Sequence, residues 1–119
     1  MDIARILDWI PHYGTFYTGD ELDGQVRRLA AAYPQVIRTE VVGTSRQGHP
    51  IQAMIAGHGA KNAICFACPH PNEPIGAMTL ITMGEIMGAH PEVLEETGFT
   101  WYLIPCIDPD GTRLNENWF

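Results

Sequence analysis

The chain has 119 residues, 45 % hydrophobic and 18 % charged, which suits one small packed domain, or a piece of a larger one, and excludes a disordered chain. Its net charge of −7, with only Arg27-Arg28 pairing two basic residues, argues against nucleic acid or an anionic membrane surface as partner. No apolar run reaches the ~20 residues that span a bilayer, and Asp2, Arg5 and Asp8 interrupt the start where a secretion signal needs an apolar stretch.

The opening "WIPHYGTFYTG" is aromatic and turn-rich and reads as an ordered lead-in loop or arm. "GDELDGQVRRLAAAY", 19–33, reads as a helix, because Leu22, Val26, Leu29 and Ala30 fall on one face at helical spacing. Asp20 is its expected N-cap and Pro34 its stop. "VIRTEVVGTS" and "PIQAMIAGHG" alternate and carry β-branched residues, so with the "RQGH" turn they predict a β-hairpin. "NAICFAC", 62–68, is a short continuous apolar run, the pattern of a strand buried on both faces.

The segment 74–89 is apolar almost all round and predicts a deeply packed helix, with Pro74 in its first position and Glu73 as cap. Gly76, Gly84 and Gly88 lower helix propensity and are expected to admit close neighbours. "HPEVLEETG" reads as a short polar helix or loop, "FTWYLIPCID" as a buried strand, and "PDGTRLNENWF" as a loop. The order hairpin, strand, helix, strand predicts an α/β fold with a mixed sheet, an antiparallel hairpin beside a parallel β-α-β crossover.

In such a unit, ligands bind in the crevice beyond the carboxyl ends of the parallel strands. His70 and Glu73 follow one such end, in "ACPHPNEPIGA", and Asp108, Asp110, Arg113 and Asn115 follow the next. Two polar clusters therefore converge on one edge of the predicted sheet. Histidine nitrogen and carboxylate oxygen are both zinc donors. A pair three residues apart on a turn stiffened by Pro69, Pro71 and Pro74 can close on one ion with little loss of entropy. His-x-x-Glu alone is a weak pattern; its place at a strand end, its prolines and the second polar cluster strengthen it.

These residues resemble the zinc metallocarboxypeptidases, the M14 peptidases of funnelin type. "HPNEPIGA" is similar to that family's first zinc motif, "DPDG" to its Asn-Pro-Asp-Gly, and "LNENW" to its Leu-Asn-Arg-Asn-aromatic segment. The "GTSRQGHPI" hairpin and the preceding helix match the family's opening, so the resemblance runs over roughly 15–119. It implies the N-terminal half of a phosphorylase/hydrolase-like fold, Zn2+ held by His70 and Glu73, and hydrolysis of the C-terminal amide bond of a peptide or modified peptide. Zinc would activate a water and polarise the scissile carbonyl. Asn115 would help hold the substrate's terminal carboxylate and Arg113 could assist it. Glu116 stands where the family has arginine, and a glutamate there suits a basic, amidated or otherwise altered substrate.

The family's third zinc ligand and its general base lie downstream of these motifs. No residue of this chain is identified as that base, which is expected beyond Phe119. His12, His49, His58 and His90 read as surface or turn histidines. A single domain over 1–119, a fragment or truncated form that is inactive alone, is expected, with self-association through an exposed sheet edge. Two further readings stay open: an N-acyl amino-acid amidohydrolase sharing His-x-x-Glu, and a non-catalytic binding module that kept the fold. Cys65, Cys68 and Cys106 read as buried free thiols, which suits a cytoplasmic location, and the methionines read as core fill.

Overall fold

The computed structural model describes residues 3–118 of the protein. Phe119, the residue beyond which the general base is expected, lies outside the described residues. A short helix α1 (Ile3–Leu7) and an aromatic arm lead into α2 (Gly19–Ala32), then β1 (Ile37–Thr44), β2 (Pro50–Ala56), β3 (Lys61–Phe66), α3 (Ile75–Ala89), α4 (Glu92–Thr97), β4 (Phe99–Ile104) and α5 (Pro109–Asn115), which ends in a 3₁₀ turn (Glu116–Trp118). The four strands form one mixed sheet in the order β1-β2-β4-β3. β1 and β2 are the antiparallel hairpin, β2 also pairs antiparallel with β4, and β3 pairs parallel with β4. The α/β mixed sheet therefore forms as the pattern predicts, with α3 and α4 in the crossover.

Helices α2 and α3 contribute Leu22, Val26, Leu29, Ala77, Leu80, Ile81 and Met87 to the main core, where they meet Met54, Ala56 and Leu103 of the sheet. A smaller cluster of Ala53, Ile55 and Ile104 takes the alternate positions of the same strands, as the two-residue strand period requires. Burying each large aliphatic side chain contributes about 1.5–3 kcal/mol. The aromatic arm is ordered against α3: the Tyr13 hydroxyl is hydrogen-bonded to Thr82 Oγ1 at 2.7 Å, and Trp9 packs edge-on to His90.

Several local expectations change. The N-cap of α2 is Thr18, one turn ahead of Glu21, rather than Asp20. Its side chain accepts from the Glu21 N–H while Glu21 Oε2 accepts from the Thr18 N–H at 2.7 Å, a reciprocal capping box. Pro74 is the N-cap of α3, and Glu73 makes no cap because it turns to His70 instead. The predicted terminal loop is helix α5, nucleated by Asp108, whose Oδ1 accepts from the Gly111 N–H at 3.0 Å, with Pro109 in the first turn. β3 is not buried on both faces: it is an edge strand, with Ile64 67 % and Phe66 56 % exposed. An apolar run cannot by itself tell a central strand from an edge whose outer face is bare. Of the three free thiols Cys68 is fully buried, and Cys65 and Cys106 are half-buried rather than buried as expected.

The α2–α3 contact depends on small residues and one polar clamp. A Cβ on Gly84 would press on Leu29 at 3.1 Å, and one on Gly88 would overlap the Tyr33 ring. Tyr33 and Arg28 both donate to the Glu85 carboxylate, at 2.6 and 2.5 Å. Burial alone would raise the Glu85 pKa, but these two donors hold it below the ordinary carboxylate value. Gly88→Ala is expected to destabilise the fold by about 1–3 kcal/mol through overpacking against Tyr33. Urea unfolding checks this, and an unchanged midpoint would show that the ring has room to move.

Candidate metal and substrate site

The site is built on the ends of the two parallel strands. Their ladder runs past β3: the Ala67 N–H donates to the Ile104 carbonyl and the Ile107 N–H to the Ala67 carbonyl, both at 2.9 Å. Cys68 then takes a left-handed conformation, φ 53°, rare outside glycine, and the chain leaves the sheet. Such a conformation costs on the order of 1–3 kcal/mol and persists only where its surroundings hold it. Cys68 is 1 % exposed and packed in the main core, which supplies that hold.

Next comes a turn closed by the Glu73 N–H donating to the His70 carbonyl at 3.0 Å. Pro71 and Asn72 are its central residues, and proline at the first of these presets the required φ. The turn brings its end residues together, so His70 Nδ1 lies 2.9 Å from Glu73 Oε2. Both side chains face solvent, 70 % and 60 % exposed. Among the described residues no third His, Cys, Asp or Glu gathers with them into a metal cage. The donor chemistry fits zinc as two of the three protein ligands a catalytic site uses.

Helix α5 reaches the same edge, and the structure gives each of its polar residues a definite partner. Asn115 Nδ2 donates to the Pro71 carbonyl at 3.0 Å, which ties the helix to the His70–Glu73 turn. Gly111 lies under that turn, where a Cβ would come within 2.5 Å of Pro71 Cγ. Asp108 caps the helix, a task Asn performs equally well, so Asp in place of the family's Asn is physically neutral. Asp110 accepts from Ser45 Oγ at 2.6 Å and from the Gln47 N–H at 3.1 Å, binding α5 to the hairpin turn. The Ser45 bond, against a small opposing effect of burial, holds its carboxyl below the usual range.

Arg113 and Glu116 point to the N-terminus of α2. Arg113 pairs with Asp20 at 2.7 Å and Asp23 at 3.4 Å, and Glu116 Oε2 accepts from the Gly19 N–H at 2.9 Å. Gly19 leaves room for this pairing, since a Cβ there would sit 2.9 Å from the Arg113 guanidinium. A carboxylate at the first N–H groups of a helix is favourable for the helix dipole as well. Sequence spacing placed these residues on the right edge. It could not show these partners, which lie 90 or more positions away in the chain.

Beneath the turn, Cys68 and Cys106 interact: the neighbouring Cys106 lowers the Cys68 thiol to about 7, and Cys68 together with burial raises that of Cys106. Sequence reading took the three cysteines as free thiols and missed this pair, which depends on how β3 registers against β4. A cavity of about 340 Å³, lined by Val36, Gly57, His58, Pro91 and Leu94, lies at the opposite end of the sheet, before β3 and β4 begin. It has no contact with the His70–Glu73 turn. His49 donates its N–H to Ser45 Oγ, His90 caps α3 and pairs with Glu92, and His12 and His58 are exposed, so none of them joins His70.

Two solved structures share this fold. Bovine thrombin-activatable fibrinolysis inhibitor, in complex with tick carboxypeptidase inhibitor, superposes with a TM-score of 0.77 at 13 % identity, over 85 % of this chain and 34 % of that one. A crystal structure of thrombin-activatable fibrinolysis inhibitor gives 0.72 at 17 % identity, over 84 % and 27 %. The chain thus spans about a third of the length of the solved structures it matches. The family profile of the zinc carboxypeptidases matches residues 24–118, from within α2 through α5, so this chain belongs to the zinc carboxypeptidase (M14 peptidase) family.

Proposed function

We propose that this chain carries the first two zinc ligands of a metallocarboxypeptidase-type hydrolase acting on the C-terminal amide bond of a peptide or modified peptide. The observation that carries the reading is the 2.9 Å approach of His70 and Glu73 on a proline turn past a parallel strand end, in a member of the zinc carboxypeptidase family. Zinc bound there supplies Lewis-acid polarisation of the amide carbonyl and a water of lowered pKa. His70 offers a ring nitrogen and Glu73 a carboxylate oxygen, and their exposure leaves little desolvation to overcome. Asn115 orients both by fixing the Pro71 carbonyl between them. Among the described residues no third ligand gathers with this pair.

The substrate class follows from where the charges go. In the family pattern the segment holding Arg113, Asn115 and Glu116 receives the substrate's terminal carboxylate. Here both NH groups of Arg113 are engaged by aspartates, and Glu116 is an anion bound to α2. A basic, amidated or otherwise modified C-terminus meets less repulsion at this edge than a free carboxylate. This same observation keeps the N-acyl amino-acid amidohydrolase as the second reading, because that chemistry also rests on His70 and Glu73. The solved relative held by a carboxypeptidase inhibitor is in keeping with a peptide-like ligand.

Zinc titration followed by the NMR signals of His70 is expected to shift its ring resonances, and His70→Ala to abolish the response. Asn115→Ala should weaken zinc binding about 10-fold with circular dichroism unchanged, the size typical of lost outer-shell support. Zinc leaving the His70 ring unaffected would sink the metal assignment. In binding measurements on peptides paired as free and blocked C-termini, the zinc-loaded chain is expected to bind blocked or basic ends more tightly; tighter binding of free acidic ends would refute the substrate class. We also propose that the bare edge of β3, with Ile64 and Phe66 exposed, drives self-association of the isolated chain. Light scattering is expected to give a mass above the monomer, and a clean monomer over the micromolar range would contradict this.

A further inference from the structure

The parallel register assigns a second feature to the same edge. Phe66 pairs with Ile104; past it the register slips by one residue, because Ala67 donates to the Ile104 carbonyl but accepts from the Ile107 N–H. That second bond joins the peptide unit linking Ala67 to Cys68 with the one linking Cys106 to Ile107, and so brings Cys68 beside Cys106. Paired strands lie about 4.7–4.9 Å apart, inside the range of Cα separations of about 4.4–6.8 Å that a disulfide spans. Both side chains turn to the helix-covered face: Cys68 is in the main core and Cys106 packs against it. Cys106 donates to Thr112 Oγ1 at 3.3 Å, the two thiols are close enough to perturb each other, and both are free. Cys106 is only half-buried, so a small oxidant can reach the pair.

We propose that Cys68 and Cys106 are a redox-active dithiol that a hydroperoxide converts reversibly into an intramolecular disulfide beneath the His70–Glu73 turn. One sulfur attacks the peroxide: an S–O bond forms, the O–O bond breaks, and the thiol proton leaves with the departing oxygen as water or alcohol. The second sulfur then attacks the first; the S–S bond forms, the S–O bond breaks, and water leaves with the second thiol's proton. The two thiols lose two electrons in total and the peroxide gains them. The bond would join the start of the metal turn to the start of α5, two segments otherwise held by the Asn115 hydrogen bond and the contact of Gly111 with Pro71. It would also close the crossover through α3 and α4 into a covalent loop. Cys65 stands on β3 at a position paired with Leu103 and has no cysteine opposite it.

The test uses the folded chain with hydrogen peroxide, followed by thiol alkylation, intact mass and peptide mapping. The expected product has lost two hydrogens, carries one Cys68–Cys106 crosslink, retains an alkylatable Cys65 and is restored by dithiothreitol. Its thermal midpoint should rise by about 5–10 °C over the reduced form. The Cys65→Ser variant should give the same crosslink. Cys106→Ser should give none, with Cys68 recovered as thiol or over-oxidised acid. Separate sulfinic acids on Cys68 and Cys106 in the unsubstituted chain, a crosslink through Cys65, or only intermolecular disulfides would each overturn the proposal.

Discussion

The parallel pairing of β3 with β4 is the constraint from which the site follows. Parallel strands run the same way, so their carboxyl ends lie at one edge, and whatever follows each strand is delivered there together. The pairing persists through Ala67, Ile104 and Ile107, beyond the strands proper. That extension fixes where the chain must leave the sheet, at Cys68, and so where the His70–Glu73 turn can stand. α3 supplies the connection this topology needs, and its glycines let it lie close on α2 and the sheet. A loosened β3–β4 ladder would leave the turn and α5 unrelated in space.

The polar residues after β4 divide by reach. Asp108 acts locally, as the cap of its own helix. Asp110, Arg113 and Glu116 act at long range, tying α5 to the hairpin turn and to the start of α2. Asn115 bonds to the His70–Glu73 turn directly, through the Pro71 carbonyl. A surface pair such as Arg113–Asp20 contributes little in isolation. Two aspartates and a helix N-terminus gathered around Arg113 and Glu116 form a network whose geometry is fixed on both sides. Glu116 is therefore committed to the α2 N-terminus through the Gly19 N–H.

The elements legible in advance were those with a strong period or strong punctuation. The α2 stripe of Leu22, Val26 and Leu29, the alternating hairpin, and the all-round apolar α3 all formed within a few residues of expectation. The caps were less legible, because Thr18 and Asp20 are both good cap residues and only the reciprocal Glu21 bond distinguishes them. α5 was hidden by its glycine and by the weak helix formers at its start; its stability comes from Asp108 and from packing against Pro71, neither of which has a periodic signature. β3 was misjudged because hydrophobicity reports the tendency to be buried and not the neighbour that does the burying.

By itself the sequence determined the α/β order, the two polar clusters at the strand ends, and the His70–Glu73 pair, since a proline turn of that length closes on itself wherever it stands. Only the tertiary structure decided that β3 is an edge, that Asn115 holds the turn, that Arg113 and Glu116 are committed to α2, and that Cys68 meets Cys106. The physical reason is range. Local periodicity, capping and turn closure are encoded within a few residues, while strand order and the partners of charged side chains depend on which distant segments the folded core brings within hydrogen-bonding distance.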